Sequence, residues 1–477
     1  MKYEVVMGLE VHVEMSTESK LFCSCPVRFG AEANENVCPA CLGMPGFLPL
    51  VNKKAVELGI RAALVTNSEI VRETSFDKKN YFYPDLPTGY QTTQLYSPIC
   101  KNGFVEIETG EGVRRIGIEQ IHIEEDAGKL IHENRTDSTL IDYNRAGVPL
   151  IEIVSRPDFR NGEQVIAYLE KLRLLLMFAG VSDCKMEEGS MRADINISVR
   201  EKGSNTLGVR TEIKNMNSLK AISRAIAYEA ERHMDALDGG QVLIQETRRW
   251  DDNKNMSFPM RSKEDVTDYR YFPDSDIMPI RIDGEWIESI KNNLPESAGE
   301  KYERYLNEFG LSESDSRIIS GDKGLAWVYD ETVGYCGKPK DAASWIVVEL
   351  MGMMNADGKS VDQVNLKPDK LAKLIDMVAD RKVSRIVAKD IFAEIYKRGV
   401  DPEDYAKQHG LIMVSDQEGV RAVAEKLIAE NPKSVQEYKE GKGKVVGFFV
   451  GRIMREMKGK ADPAEVNSIL KELLDKA

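Results

Sequence analysis

The chain has 477 residues, 42% hydrophobic and 30% charged, which is typical of a folded protein with two to four domains. Its formal net charge of −13 argues against a protein that binds nucleic acid over most of its surface. The sequence contains no apolar run long enough to span a bilayer and no signal-peptide core near its start, so we predict a cytoplasmic protein without a membrane segment.

The first predicted strand, from Gly8 to Glu14, alternates apolar and polar residues. Its aliphatic side chains would face a core, and its opposite face would carry Glu10, His12 and Glu14. Two carboxylates around an imidazole suggest a site for a hard cation. For this stretch alone, a solvent-exposed strand face is the more common explanation.

Four cysteines follow in two close pairs, Cys23 with Cys25 and Cys38 with Cys41. A cytoplasmic protein keeps its thiols reduced, so we do not expect a disulfide framework. Two pairs spaced C-x-C and C-x-x-C match a tetrahedral zinc site. Because four sulfurs leave no coordination position for a substrate, we predict a structural zinc knuckle.

The remaining elements change character near residue 293. Before it, short β-rich runs alternate with a few helices; we predict strands over 148–154 and 191–199, and helices over 53–65, 163–179 and 218–237. After it, helices dominate, and several begin at a proline. The predicted fold class is α+β: a mixed-sheet cradle domain with the zinc knuckle (1–293), a helical domain (294–400) and a small C-terminal helical tail domain (401–477).

Two further acidic features lie in the first half of the chain. The run from Glu124 to Asp126 contains three adjacent acids, which repel one another unless a cation or a partner compensates. Glu152 is the only charge within the apolar strand 148–154, where a carboxylate is costly unless paired or ligated. An ion pair with an arginine such as Arg156 and a functional role are both open for Glu152.

Polar strands later in the cradle domain combine acids with cations. Arg192 and Asp194 share one face of the strand 191–199, an arrangement suited to phosphate together with Mg²⁺. Glu212 and Lys214 lie in a strand that leads directly into a helix start, where an anion could bind. Arg248 adds a guanidinium suited to polyphosphate.

Two aromatic turns, 81–83 and 269–272, could stack a nucleotide base. Core packing is the more common role for such side chains. In the tail, a basic strip could meet RNA phosphates, although a solvated helix face is the default explanation. The residues of this strip are Lys442, Lys444, Arg452 and Arg455.

The P-loop, the dinucleotide-binding motif and the nucleophile elbow are absent, so ATP would have to bind to a less familiar arrangement of residues. The motifs that are present, in chain order, are GLEVH, C-x-C…C-x-x-C, KKNYFYPDLPTGYQ, IHIEEDAGK, DYNRAGVPLIEIVS, KMEEGSMRADINIS, EIKNMNS, QETRRW and DYRYFPD. Taken together, these motifs resemble the family of B subunits of tRNA-dependent amidotransferases, and the resemblance extends over essentially the whole chain.

The resemblance implies a ligase that uses ATP and Mg²⁺ to phosphorylate the tRNA-linked carboxylate of Glu-tRNA(Gln) or Asp-tRNA(Asn). Ammonia from an amidase, the A subunit of such complexes, would then displace phosphate, and a small C subunit would brace the pair. The motifs do not distinguish between the two tRNAs. A hypothesis of a different class is a non-catalytic, zinc-containing RNA-binding scaffold protein.

The resemblance also implies roles for particular residues. The catalytic Mg²⁺ ligands would be Glu10, His12, Glu125 and Glu152. Spacing does not separate Glu124 from Glu125 as the ligand. Asp194 and Glu212 would lie nearby or at a second site, and the phosphates would be held by Arg192, Lys214 and Arg248. The tail strip would contact the outer part of the tRNA.

Overall fold

A computed structural model describes residues 2–133, 138–262, 269–413, 417–439, 444–457, 461 and 463–476 of the chain. Contacts between residues divide it into two compact units, Met1–Ser297 and Ala298–Ala477. The first unit contains the strands and four helices, and the second is helical. This arrangement confirms the α+β prediction.

The first unit is built from strands and helices of very different lengths. Its strands are β1 (Tyr3–Glu14), β2 (Glu69–Ile70), β3 (Glu73–Thr74), β4 (Asp77–Asn80), β5 (Tyr90–Thr93), β6 (Cys100–Thr109), β7 (Gly112–Glu125), β8 (Lys129–Glu133), β9 (Ser138–Asp142), β10 (Pro149–Ser155), β11 (Met191–Glu201), β12 (Thr211–Lys214), β13 (Glu246–Asp251), β14 (Met256–Ser262), β15 (Phe272–Pro273) and β16 (Ile280–Arg281). Its helices are α1 (Lys53–Val65), α2 (Gly162–Phe178), α3 (Leu219–Asp238) and α4 (Gly284–Asn292).

A nine-stranded sheet organises this unit, with strand order β14-β13-β12-β11-β1-β10-β7-β6-β2. Strand β1 is central, antiparallel to β10 on one side and to β11 on the other. Three aliphatic side chains of β1, Leu9, Val11 and Val13, are fully buried in a large core. Helices α1, α2 and α3 contact strands β7, β6 and β11. The polar face of β1 is therefore opposite the aliphatic core.

The predicted helices and the predicted strands 148–154 and 191–199 agree with the observed elements to within about two residues, because local signals set their ends. Strand β1 instead begins at Tyr3, five residues before the predicted start at Gly8. Helix α1 has the predicted bounds. The side chains of Asn161 and Ser218 cap α2 and α3 by accepting hydrogen bonds from the backbone. Gly180 and Gly240, just after these helices, have φ values of +70° and +66°, which glycine adopts without strain.

The second unit contains two hydrophobic clusters, one built from residues between Tyr305 and Ala406 and one from residues between Val420 and Leu474. As predicted, several of its helices begin at a proline. The three-domain division stays a prediction. The helices are α5 (Ala298–Asn307), α6 (Glu313–Ser320), α7 (Lys323–Cys336), α8 (Pro339–Ser344), α9 (Met351–Asp357), α10 (Pro368–Ala379), α11 (Arg385–Arg398), α12 (Pro402–Gln408), α13 (Gln417–Glu430), α14 (Pro432–Lys439), α15 (Lys444–Glu456) and α16 (Pro463–Lys476), with a π-helical turn at Trp345–Leu350. Within the described residues, no helix combines the length and hydropathy needed to cross a membrane.

A buried histidine on α3 supports the strand that carries Glu212. His233 is fully buried, and its Nε2 lies 2.9 Å from the hydroxyl of Thr211 at the start of β12. Burial, followed by the charge of Arg232, lowers the pKa of His233 to about 4. An unfolded histidine has a pKa of about 6.5, so between these values the unfolded chain binds the proton more tightly.

We therefore expect neutral His233 to make its full contribution to the free energy of unfolding above about pH 6.5. This contribution should decrease as the pH falls towards about 4. Between about pH 7.5 and pH 5 the wild-type protein should lose about 2 kcal/mol more unfolding free energy than His233→Gln, which cannot take up the proton. Urea denaturation at both pH values measures this difference. The same substitution at the exposed His409 is the control, and equal losses in wild type and His233→Gln would contradict the expectation.

Candidate functional site

The polar face of the nine-stranded sheet forms the floor of a pocket of about 770 Å³. This volume lies within the range of about 300–1,000 Å³ that is usual for ligand sites. Polar side chains reach the pocket from five strands, β1, β7, β10, β11 and β12, and from the segment leading into β13. Residues two apart in a strand point the same way, so the polar residues of each strand lie on this face. The polar lining residues on these strands include Glu10, His12, His122, Glu124, Glu152, Asn196, Glu212, Lys214 and Thr247.

Two histidines and two glutamates form the centre of the pocket. Strand pairing places His12 opposite Glu152, and Glu152 opposite His122. The Nε2 atom of His12 lies 3.3 Å from a carboxylate oxygen of Glu152 and 3.6 Å from one of Glu124. The corresponding distances from His122 Nε2 are 3.1 Å and 3.5 Å. Each imidazole thus lies within ion-pair distance of both carboxylates.

Burial and charge act against each other in this cluster. Burial lowers the pKa of His122, but its contacts with Glu124 and Glu152 outweigh this effect and raise the pKa to about 10. The pKa of His12 is raised for the same reason, against burial. Burial raises the pKa of Glu124 and Glu152, but the two imidazoles lower it below its usual value. The imidazoles and the carboxylates of this cluster thus stabilise one another's charged forms.

The same atoms fit a bound divalent cation. One ligand atom each of His12, Glu124 and Glu152 lies within 4.8 Å of the others. Adjacent ligands of an octahedral Mg²⁺ are about 3 Å apart, so small side-chain movements would bring these atoms to one ion. In addition, Nδ1 of His122 is buried and has no hydrogen-bond partner among the described residues.

The structure brings several predicted residues into this pocket. The carboxylate of Glu10 accepts a hydrogen bond of 2.9 Å from Asn196, and its pKa is raised by burial and then by the charge of Glu152. Lys214 Nζ lies 2.6 Å from Asp194 and 2.9 Å from Glu212. These contacts outweigh burial and raise the pKa of Lys214. Lys214 is thus the centre of a charged cluster on β11 and β12.

Four predicted residues do not line the pocket, namely Asp194, which contacts Lys214, and Glu125, Arg192 and Arg248. Glu125 follows Glu124 along the strand, so its side chain has the opposite orientation; its Oε1 accepts a hydrogen bond of 2.9 Å from Thr92 N. Burial raises the pKa of Glu125 to about 7. Arg192 pairs with Asp126 at 2.6 Å, outside the lining of the pocket. Arg248 also lies outside this lining.

Two arginines considered for this region pair with other acids. Arg248 is nearly buried and pairs with Glu246 at 2.9 Å and with Glu229 at 3.2 Å, and its binding of phosphate stays a prediction. Arg156 pairs with Glu119 at 3.1 Å. Arg156 is therefore not the partner of Glu152, which contacts the two histidines.

Glu14 lies on the polar face of β1 but does not line the pocket. It is half-buried, and burial, followed by the charge of Asp126, raises its pKa to about 7.

Sequence reasoning missed several polar residues of the pocket, among them His122 and Arg210. His122 precedes Glu124 by two positions, so strand alternation could have found it. Arg210 lies in the loop before β12, where no periodicity indicates its direction; it has no hydrogen bond or ion pair with any described residue. Tyr269 and Tyr271 line the pocket as well, whereas core packing was the favoured explanation. In the other aromatic turn that explanation is wrong for Phe82, which is 90% exposed.

The four predicted cysteine ligands also come together. One Sγ each of Cys23, Cys25, Cys38 and Cys41 lies within 4.8 Å of the others. Sulfur ligands of a tetrahedral zinc are about 3.8 Å apart, so this cluster has the size and the donor set to hold a metal such as zinc. The backbone N–H of Cys38 donates to Sγ of Cys41 at 3.1 Å, a contact typical of ligating thiolates.

The predicted tail strip lies on helix α15, apart from one residue. Arg452 and Arg455 are both exposed on this helix. The helix begins at Lys444, of which only the backbone is described, and Lys442 lies outside the described residues. Nothing in this geometry tests whether the strip binds RNA.

Comparisons with known proteins agree with this geometry. Residues 5–288 match the model of the GatB/GatE catalytic domain, and residues 328–474 match the GatB domain. The chain is 53% identical over 475 residues to the B subunit of the aspartyl/glutamyl-tRNA(Asn/Gln) amidotransferase of Lachnoclostridium phytofermentans, covering 100% of this chain and 99% of that protein. The proteins of the same name from Caldicellulosiruptor bescii and Thermoanaerobacter pseudethanolicus are each 49% identical, with 100% of both chains covered. The chain therefore belongs to the GatB/GatE family of tRNA-dependent amidotransferase B subunits.

Proposed function

We propose that the pocket on the sheet phosphorylates the side-chain carboxylate of Glu-tRNA(Gln) or Asp-tRNA(Asn) at the expense of ATP. The observation that carries the proposal is the convergence of His12, Glu124 and Glu152 from three adjacent strands in a chain of this family. A scaffold without catalytic function would not need such a cluster, and family membership does not favour it.

Mg²⁺ would be held by Glu10, His12, Glu124 and Glu152. When bound, the ion would supply positive charge that neutralises the phosphates of ATP. Lys214 lies at the side of the same pocket and would hold phosphate oxygens. Glu125 and Arg248 are not included, because their side chains do not line the pocket.

The reaction would need no nucleophile from the protein. An oxygen of the substrate carboxylate attacks the terminal phosphorus of ATP, and ADP leaves. Ammonia then attacks the carbonyl carbon, phosphate leaves, and the amide forms. The residues of the pocket bind and orient the two substrates and exclude water, which would hydrolyse the activated carboxylate.

The cysteine cluster would hold a structural zinc ion. Four sulfur ligands complete its coordination, so the zinc would stabilise the loop after β1 and take no part in the reaction. This role is supported by the contact of Lys20 Nζ, a buried cation, with Sγ of Cys41 at 3.7 Å.

The relatives are named as B subunits, so the chain belongs to a complex of several proteins. We propose that an amidase, the A subunit, supplies the ammonia and that a small C subunit stabilises the contact between the A and B subunits. We also propose that the complex works in the cytoplasm. The exposed Arg452 and Arg455 of α15 would contact phosphates of the tRNA.

Assays of the complete complex with Glu-tRNA(Gln) and Asp-tRNA(Asn) side by side test this proposal. We expect at least one of them to stimulate ATP cleavage and to be converted to its amide. Correctly charged Gln-tRNA(Gln), which lacks the carboxylate, is the control and should give no stimulation. A rate of ATP cleavage that is the same with and without each of the three tRNAs would contradict the proposal.

A further inference from the structure

A lysine side chain is fully buried beside the cysteine cluster. The ammonium of Lys20 donates a hydrogen bond of 3.1 Å to the carbonyl oxygen of Tyr143 and lies 3.7 Å from Sγ of Cys41. Among the residues that the structure describes, no carboxylate lies within ion-pair distance of this ammonium. Lysine is almost never fully buried unless an anion is beside it, so the charge of Lys20 needs a partner.

The cysteine cluster can supply that negative charge. Cysteines bind a metal as thiolates, so four of them around one divalent ion form a centre with two net negative charges. A buried centre of this charge is costly unless cations or N–H donors lie beside it. The backbone N–H of Cys38 is one such donor, and the ammonium of Lys20 adds a full positive charge. Four neutral thiols would give the lysine no anion.

The surrounding backbone holds this ammonium in place. The N–H of Lys20 donates to the carbonyl oxygen of Cys25 at 3.0 Å, and the N–H of Leu21 donates to that of Gly147 at 2.8 Å. The lysine side chain also packs on Gly147, where an added Cβ would lie 3.5 Å from Cδ of Lys20. Lys20 is therefore fixed between the cysteine loop and the segment that precedes β10.

We propose that Lys20 is the counter-charge of the metal–thiolate centre and determines how tightly that centre holds zinc. The ammonium acts through Cys41 and is not itself a ligand. Removal of a group that contacts a metal ligand in this way typically weakens metal binding about ten- to a hundredfold. This inference rests on the structural zinc proposed above and is independent of the proposed reaction.

Competition for zinc between the complete complex and a chelator tests this role. Lys20→Met keeps the apolar stem of the side chain and removes its charge, and we expect it to raise the Kd for zinc about tenfold or more. The cysteine loop keeps other contacts with the sheet unit, such as the hydrogen bond of 2.8 Å from Asn36 N to the side chain of Asn144. Lys54→Met, at an exposed lysine of α1, is the matched control and should leave the Kd unchanged.

Iron in place of zinc separates the charge of Lys20 from its packing. Iron held by four thiolates can be reduced at an electrode from the ferric to the ferrous ion, which makes the centre more negative by one charge. A nearby cation favours the reduced form, so Lys20→Met should lower the reduction potential of the iron-substituted complex. The expected change is about tenfold in the equilibrium constant for reduction, or about 59 mV for this one-electron couple.

The outcomes separate this inference from the zinc site on which it rests. Unchanged zinc affinity in Lys20→Met would overturn the inference. Weaker zinc binding with an unchanged reduction potential would assign Lys20 a packing role only and would also overturn it. A wild-type complex without bound zinc would instead overturn the structural zinc site and this inference with it, while the proposed activation of the carboxylate would be unaffected.

Discussion

Replacing Glu124 by glutamine is expected to reduce tRNA-dependent ATP cleavage by the complete complex at least a hundredfold. The amide keeps the shape of the buried side chain but removes the negative charge that would bind Mg²⁺ beside His12 and Glu152. Hydrolysis of glutamine by the amidase of the complex should remain measurable. The measurement is phosphate release in the presence and absence of aminoacyl-tRNA.

Glu125→Gln provides a sharp comparison, because it is the same substitution one residue further along β7. The side chain of Glu125 has the opposite orientation and contacts Thr92 N, so we expect less than a tenfold change in ATP cleavage. Glu119→Gln, at an exposed position on the same strand, controls for general effects on β7. Similar losses at Glu124 and Glu125 would show that orientation in the strand does not decide which carboxylate acts.

Cys25→Ser is expected to remove bound zinc and to destabilise the sheet unit by about 4 kcal/mol or more, the range for loss of a metal. The reason is that the loop from Cys23 to Cys41 has few regular backbone hydrogen bonds and depends on its sulfur ligands for order. Metal analysis and urea denaturation measure the two effects. Wild-type protein should contain one zinc per chain.

The matched control is Cys336→Ser, which alters a half-buried cysteine at the end of α7 in the second unit. It should leave the zinc content unchanged. If Cys25→Ser retained a full complement of zinc, or lost zinc without loss of stability, the cluster would not be a structural zinc site.

Local sequence signals determined much of the first unit. Alternation along β1 placed Glu10 and His12 on the face opposite Leu9 and Val11, and the structure confirms this arrangement. The two cysteine pairs predicted a cluster because ligand spacing is a local property. Capping residues and glycines located the helix ends for a similar reason.

The strand alternation could also have separated Glu124 from Glu125, because His122 and Glu124 must share a face. The run of three acids obscures this pattern, since it offers no apolar residue to mark the buried face. Pairing of β7 with β10, and of β10 with β1, aligns His122, Glu152 and His12, and Glu124 lines the pocket with them.

By itself, then, the sequence determined the fold class, the cysteine cluster and the acidic strand that forms the centre of the site. Only the tertiary structure decided that Arg248 is engaged with Glu229, that Glu152 contacts histidines and not Arg156, and that Arg210 reaches the pocket. The physical reason is that side-chain direction repeats along a strand, whereas the partner of a charged side chain depends on residues brought close by strand order and by loops.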